Sequence, residues 1–169
     1  DDEDIVQIKC GHILHIGCYR GLIGDKNWFR CPVCFTIVGV MIGDQPSGIM
    51  KTTVNKALQC DGYPPGTIII NYGMNEGVRN RIHFSGTHRT AYLPDTPEGN
   101  EVLKLLKTAF DRKLIFTIGT SVTTGMENCV VWNGIHHKTH TSGGSSHFGY
   151  PDPTYFDRVK LEMAAKGVY

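Results

Sequence analysis

Four cysteines and two histidines crowded into residues 10–34 constrain this chain more than any other feature. They run Cys10-x-His12-x2-His15-x2-Cys18, then twelve residues, then Cys31-x2-Cys34. Zinc takes four tetrahedral thiolate or imidazole ligands, and a Cys-x2-Cys knuckle presents two sulfurs to one ion. Such spacing is hard to produce with scattered cysteines. Two further cysteines, Cys60 and Cys129, have no paired spacing. The even total of six would permit three disulfides in a secreted chain. The clustering favours zinc ligands plus two lone thiols, and hence a reducing compartment, the cytoplasm or the nucleus.

The rest of the composition is that of an ordinary globular protein. The 169 residues suffice for one medium domain and a small module. The net charge of +1 gives no polycationic face, so duplex DNA is not an expected partner. The longest apolar runs, such as Thr67–Ile70 and Leu114–Ile118, fall far short of the roughly 18 to 20 residues that cross a bilayer, and no membrane partner is expected. The start, Asp1-Asp2-Glu3-Asp4, has no Met and no signal-peptide character, which suggests a piece of a longer chain.

The composition shifts near residue 39, which divides a zinc module (1–39) from a larger domain (40–169). Gly43-Asp44-Gln45-Pro46-Ser47-Gly48 reads as a turn-rich connector. Gly66–Tyr72 reads as a buried, β-branched strand and Arg89–Pro94 as a shorter one. A helix follows: Thr96 can cap it, Pro97 suits its first position, and Val102, Leu103, Leu105, Leu106, Ala109 and Phe110 form its apolar stripe. Leu114–Thr120 and Cys129–Trp132 are strand candidates, joined by a turn at Thr123–Asn128. Gly143-Gly144-Ser145-Ser146 reads as a flexible loop. Asp152-Pro153 signals the start of a last helix and Gly167 its end.

The cysteine and histidine pattern resembles the last six ligands of a RING finger of the two-histidine kind. In that family two zinc ions are bound crosswise. The resemblance implies one complete site, Cys10, His12, Cys31 and Cys34, and one incomplete site, His15 and Cys18, because no cysteine precedes Cys10. A two-ligand site binds poorly, and zinc energy is largely folding energy in such modules. A RING docks a ubiquitin-conjugating enzyme and orders its linked ubiquitin, which is catalysis by positioning. Ile13, Trp28 and Pro32 are the docking candidates, with a small-core role open for Trp28. RINGs often carry a basic residue after the last ligand; here Phe35 stands there.

The remaining chain resembles the Deltex C-terminal domain. The blocks Gly43–Met50, Gly66–Tyr72, Arg89–Asp95, Lys113–Ser121, Val131–Thr139 and Gly149–Pro153 occur in the family's order. The resemblance implies an α+β architecture: a small zinc-bound RING remnant, then an α/β domain with a mixed sheet and two main helices. It implies a ubiquitin ligase whose partners are a conjugating enzyme, ubiquitin, ADP-ribosylated proteins and the Notch pathway. Its ligand would be ADP-ribose or NAD. One family loop, a His-Pro-Asn-Pro-Gly run, is replaced by His83–His88, which is expected to be a trimmed surface loop.

The residues themselves suit such a ligand. Gly119, Thr120, Ser121 and Val122 end a strand, where backbone N–H groups and hydroxyls can meet a pyrophosphate. No Walker or Gly-x-Gly-x-x-Gly pattern is present, so an ordinary nucleotide fold is not supported. Trp132, His136, Phe148 and Tyr150 offer flat faces, although Trp132 and Tyr150 also suit a core. Attack by a ribose hydroxyl on a thioester needs a base. The family's glutamate maps to Glu162, either functional or at the edge of its helix's apolar stripe. The family's histidine position holds Phe148; the nearest imidazole is His147, and adjacent side chains point in different directions. Two other readings stand beside the ligase: an ADP-ribose-binding module without ligase activity, and an adaptor using its surface alone.

Overall fold

The cysteine-rich segment folds around two short hairpins and one helix. The structure is a computed structural model, and it describes residues 4–169, so the first three residues of the acidic N-terminus lie outside it. Strands β1 (Ile5–Gln7) and β2 (Ile13–His15) pair antiparallel, and α1 (Ile16–Ile23) follows at once. Strands β3 (Trp28–Arg30) and β4 (Ile37–Gly39) make the second hairpin. The apolar core is minimal: Ile8, Phe29 and Cys31 are buried, with Leu14, Tyr19, Ile23 and Val38 packed against them. So small a core cannot hold a fold by burial alone, which makes a metal the expected staple.

The connector is not loose. The Gly43 N–H donates to the Arg112 carbonyl at 2.8 Å, and a Cβ on Gly43 would meet the Lys113 carbonyl oxygen at 1.9 Å. Only glycine permits that approach. Two residues on, the buried Gln45 amide oxygen accepts from the N–H groups of Ile115 and Phe116 at 3.2 and 3.1 Å, and its nitrogen donates to the Phe110 carbonyl. The connector is thereby stitched onto the turn that precedes strand 116–119.

The second module is built on a three-stranded sheet. Strand β5 (Gly48–Asn55) pairs with β6 (Thr67–Met74). A small hairpin, β7 (Gly77–Arg79) and β8 (Ile82–Phe84), follows. Strand β9 (Thr87–Pro94) then pairs with the other edge of β6. The central strand buries Ile68, Ile70 and Tyr72 almost completely. Helix α2 (Pro97–Asp111) begins as its sequence signals: the Thr96 hydroxyl accepts from the Gly99 N–H, Pro97 opens the first turn, and Val102, Leu106 and Ala109 are buried. Each such Val or Leu contributes about 1.5–3 kcal/mol by burial. Strands β10 (Phe116–Gly119) and β11 (Cys129–Trp132) form a hairpin, and α3 (Tyr155–Ala164) packs against α2.

Several sequence expectations are corrected here. The mixed sheet is antiparallel in every ladder among the described residues; its parallel component is a single bridge, Ser85 to Cys129. The connector Gly43–Gly48 runs straight into β5, an eight-residue strand that the sequence signals do not mark. The segment 83–88 is not a surface loop, because most of it belongs to β8 and β9. Ser145–His147 form a 3-10 turn that begins inside Gly143–Ser146, the stretch read as flexible. Helix α3 starts at Tyr155, later than Asp152 implied, because the Asp152 carboxylate is committed to Lys138 and Arg158 rather than to capping.

The two modules touch. Arg30 of β3 donates to the Ala165 carbonyl at 3.1 Å, just past the end of α3. Gly167 lies against Ile37 of β4, where a Cβ would come within 3.1 Å of the side chain. The amine of Lys166 is pushed down, first by burial and then by the neighbouring Arg30 charge.

Candidate zinc centre and ligand cavity

Cys10 and His12 lie on the turn after β1, at the start of β2, and Cys31 and Cys34 on the turn between β3 and β4. Their ligand atoms all lie within 4.8 Å of one another. The His12 Nδ1 stands 3.4 Å from the Cys10 sulfur and 3.6 Å from that of Cys31. Zn–S and Zn–N bonds of about 2.3 and 2.0 Å in a tetrahedron place donors roughly 3.5 to 3.8 Å apart. The donor set and spacing therefore fit a structural zinc ion. This is the one gathering of three or more such residues among the described residues; His15 and Cys18 belong to none. The Cys10–His12–Cys31–Cys34 grouping matches the crosswise expectation. Around it Ile13, Pro32, Val33 and Phe35 are exposed, whereas Trp28 is half-buried with Lys26 over its ring at 5.1 Å.

The second module carries a cavity of about 540 Å³ beside the β10–β11 hairpin and the turn that joins its strands. Arg89, Ser121, Thr123, Thr124, Trp132 and His136 line it, together with the 134–139 loop and Phe148. Of the residues singled out from sequence, Ser121, Trp132, His136 and Phe148 meet here. Gly119, Thr120 and Val122 stand outside the lining, and the Val122 side chain projects into solvent. Tyr150 is fully buried, with its hydroxyl donating to the Tyr92 carbonyl at 2.8 Å. Arg89, Thr123 and Thr124 were missed as wall residues. For Arg89 the signal available was a lone cation heading an apolar strand; the threonines gave none.

The floor of this cavity is an aromatic stack. Trp132 lies between Phe116 and His137, with centroids 4.7 and 4.3 Å away and planes within 22°. Tyr72 meets these rings edge-on and its hydroxyl lies 2.7 Å from His137 Nε2. His137 Nδ1 faces the Ile135 carbonyl at 2.9 Å, and a carbonyl only accepts, so Nδ1 carries the proton and Nε2 accepts from Tyr72. Burial drives the His137 pKa down to about 4 and lifts that of Tyr72 well above its ordinary value. His137 is thus a neutral core group, and Trp132 serves both stack and wall.

His136, next along the chain, points the other way and is well exposed. Its Nδ1 lies 2.6 Å from Glu162 Oε2, while its backbone N–H donates to Oε1 at 3.3 Å. Tyr155 of α3 donates to the His136 carbonyl at 2.7 Å. Helix α3 therefore fixes this histidine at three points. Glu162 thus meets His136, whereas His147, the imidazole nearest the family's histidine position, sits on the 3-10 turn with Nδ1 beside the Gly143 carbonyl and the Ser146 hydroxyl. Phe148 caps that turn in left-handed backbone at φ 54°. Gly149 follows because a Cβ there would strike the Ser142 carbonyl at 1.9 Å.

A zinc-type hairpin module joined to an α+β domain with an aromatic-floored cavity defines the class. Residues 42–168 match the Deltex C-terminal domain, and the chain belongs to the Deltex family. It is 46% identical over 168 residues to the human protein named probable E3 ubiquitin-protein ligase DTX3, covering 95% of this chain and 48% of that one. Over 172 residues it is 42% identical to mouse E3 ubiquitin-protein ligase DTX4 and 40% identical to human DTX1, in each case 95% of this chain and 28% of the relative. The chain thus spans about half the length, or less, of these relatives.

Proposed function

We propose that this chain is the ligase end of a ubiquitin-protein ligase, and that its cavity recruits ADP-ribosylated proteins. The observation that carries the reading is the cavity beside a fixed His136. Arg89 supplies charge for a pyrophosphate, Ser121, Thr123 and Thr124 supply hydroxyls, and Trp132, His136 and Phe148 supply flat surfaces for a base or ribose. Its 540 Å³ falls in the range of small-molecule sites. The Cys10–His12–Cys31–Cys34 centre suits a RING that docks a ubiquitin-charged conjugating enzyme through Ile13, Pro32 and their exposed neighbours. A zinc ion there would hold the two hairpins together.

Where a ribose hydroxyl is the ubiquitin acceptor, His136 is the group placed to take its proton. Glu162 accepts from Nδ1–H, which leaves Nε2 as the ring atom able to take a proton. Ubiquitin's carbonyl carbon would pass from the conjugating enzyme's sulfur to the ribose oxygen, and the released thiolate would take up a proton. We place the protein in the cytoplasm or nucleus, acting on ADP-ribosylated substrates and in Notch signalling. The second reading, an ADP-ribose binder without transfer, draws on the half-complete His15–Cys18 site. Titration calorimetry with ADP-ribose tests the ligand, with binding at micromolar to low millimolar Kd expected. No heat at 5 mM (on the order of the weakest useful affinity) overturns it. Discharge of a ubiquitin-charged conjugating enzyme, with and without ADP-ribose, separates the two readings.

A further inference from the structure

A second, smaller hollow of about 140 Å³ lies behind Phe148. His136, His137 and Lys138 from one segment, Ser145 and Phe148 from the 3-10 turn, and Asp152, Tyr155 and Arg158 from the start of α3 enclose it. It shares His136, His137 and Phe148 with the larger cavity, so the two are neighbours with Phe148 as a common wall. We propose that this hollow is an oxyanion subsite that takes a phosphate monoester carried by the nucleotide in the larger cavity. The nucleotide part rests on the reading above; the phosphate part does not.

The charge arrangement argues for an anion. Lys138, whose side chain is only 6% exposed, lies 2.6 Å from Asp152 Oδ2, and Arg158 donates to that same oxygen. Two cations therefore face one carboxylate. Burial pushes the Asp152 carboxyl up, but the Lys138 hydrogen bond and the charges of Lys138 and Arg158 outweigh it and hold the group ionised below its ordinary range. Glu162, which holds His136, and Asp157, which faces the groove on the other side of α3, do not line the hollow. Among the residues that enclose it, Lys138 and Arg158 against Asp152 leave one positive charge.

The donors suit phosphate. Arg158 uses Nε on Thr154 and one terminal nitrogen on Asp152, which leaves its second terminal nitrogen. Ser145, a hydroxyl residue, lines the hollow from a different segment. Donors from separate directions match a tetrahedral group better than a planar one. The hollow stands at the N-terminal end of α3, whose dipole adds to the attraction. Its volume admits a phosphate group but not a second nucleoside.

The test uses the full 169-residue chain, labelled with nitrogen-15, titrated with inorganic phosphate and, separately, with acetate. Phosphate at tens of millimolar is expected to shift the Arg158 Nε–H and Ser145 amide signals, with acetate shifting them several-fold less. The Ser145 amide response to phosphate should be lost in Arg158→Gln, and the Arg158 Nε–H response should weaken in Ser145→Ala, with melting midpoints checked for both. Calorimetry then compares ADP-ribose with its 2′-phosphate: tighter binding of the latter by about tenfold in the parent chain, and loss of that preference in Arg158→Gln, are expected. No shift in the parent, an equal acetate response, or an unchanged response in Arg158→Gln overturns the subsite. Failure of ADP-ribose to bind while phosphate still shifts Arg158 would overturn the nucleotide reading and leave the subsite standing.

Discussion

Glu162 holds His136 with both of its oxygens, one on the ring nitrogen at 2.6 Å and one on the backbone N–H at 3.3 Å. A carboxylate used this way fixes the ring plane and its tautomer together. Glu162→Gln keeps the shape but loses the charge, and Glu162→Ala loses both. We expect ubiquitin transfer to ADP-ribose to fall about 100-fold or more in Glu162→Ala, in line with the loss of a positioned base. ADP-ribose affinity should change only a few-fold. Single-turnover transfer rates beside calorimetric Kd values make the check; equal losses in both would show a binding role.

Metal removal should act on one module only. One zinc per chain is expected by atomic absorption, because one four-ligand group forms among the described residues. Chelation, or Cys31→Ser, should unfold residues of the first module, whose buried core is Ile8, Phe29 and Cys31. Amide signals of β6 and α2 should survive. Two tightly bound ions per chain would contradict the ligand count.

His137 gives a pH signature. Its folded pKa of about 4 lies below the unfolded value of about 6.5. The unfolded chain therefore binds the extra proton between those values, and stability falls as pH falls. The contribution is complete above pH 6.5 and is lost progressively down to pH 4. Between pH 7 and pH 5 this amounts to about 2 kcal/mol. Urea unfolding at the two pH values measures it, and His137→Phe should flatten the dependence whatever it does to absolute stability.

Gln45 tests the connector. Gln45→Leu leaves the Ile115 and Phe116 N–H groups buried without partners. A loss of about 2–4 kcal/mol in unfolding free energy is expected, and Gln45→Glu should recover part of it through its acceptor oxygens. A change under 0.5 kcal/mol in the leucine variant would show the stitch to be dispensable.

Much of the fold was legible where signals were local. Thr96 and Pro97 marked the start of α2 to the residue, because cap and first turn are neighbours in sequence. The Cys–His spacing pointed to zinc, and the RING resemblance implied the grouping of Cys10 and His12 with Cys31 and Cys34 that the structure brings together. Errors came where a partner lay far along the chain. Asp152 reads as a helix cap until Lys138 and Arg158 claim it. β5 hid because it is an edge strand whose Ile49 and Val54 remain exposed, so no buried stripe marks it. His136, Phe148 and Tyr150 stand out for their flat faces and His147 as the imidazole nearest the family's histidine position, and neither signal tells a cavity wall from a core. The 3-10 turn sends His147, Phe148 and Tyr150 to different surroundings. Which imidazole Glu162 reaches was decided by the packing of α3, and no spacing rule contains that.

Helix α3 joins the two halves through its last turn. Glu162, which holds His136, and Ala165, whose carbonyl receives Arg30, are three residues apart, a rise of about 4.5 Å. A helix of that length is stiff compared with any loop. The zinc hairpins and the cavity therefore meet on one helix end: the contact made by Arg30 lies less than one helical turn from the carboxylate that orients the imidazole.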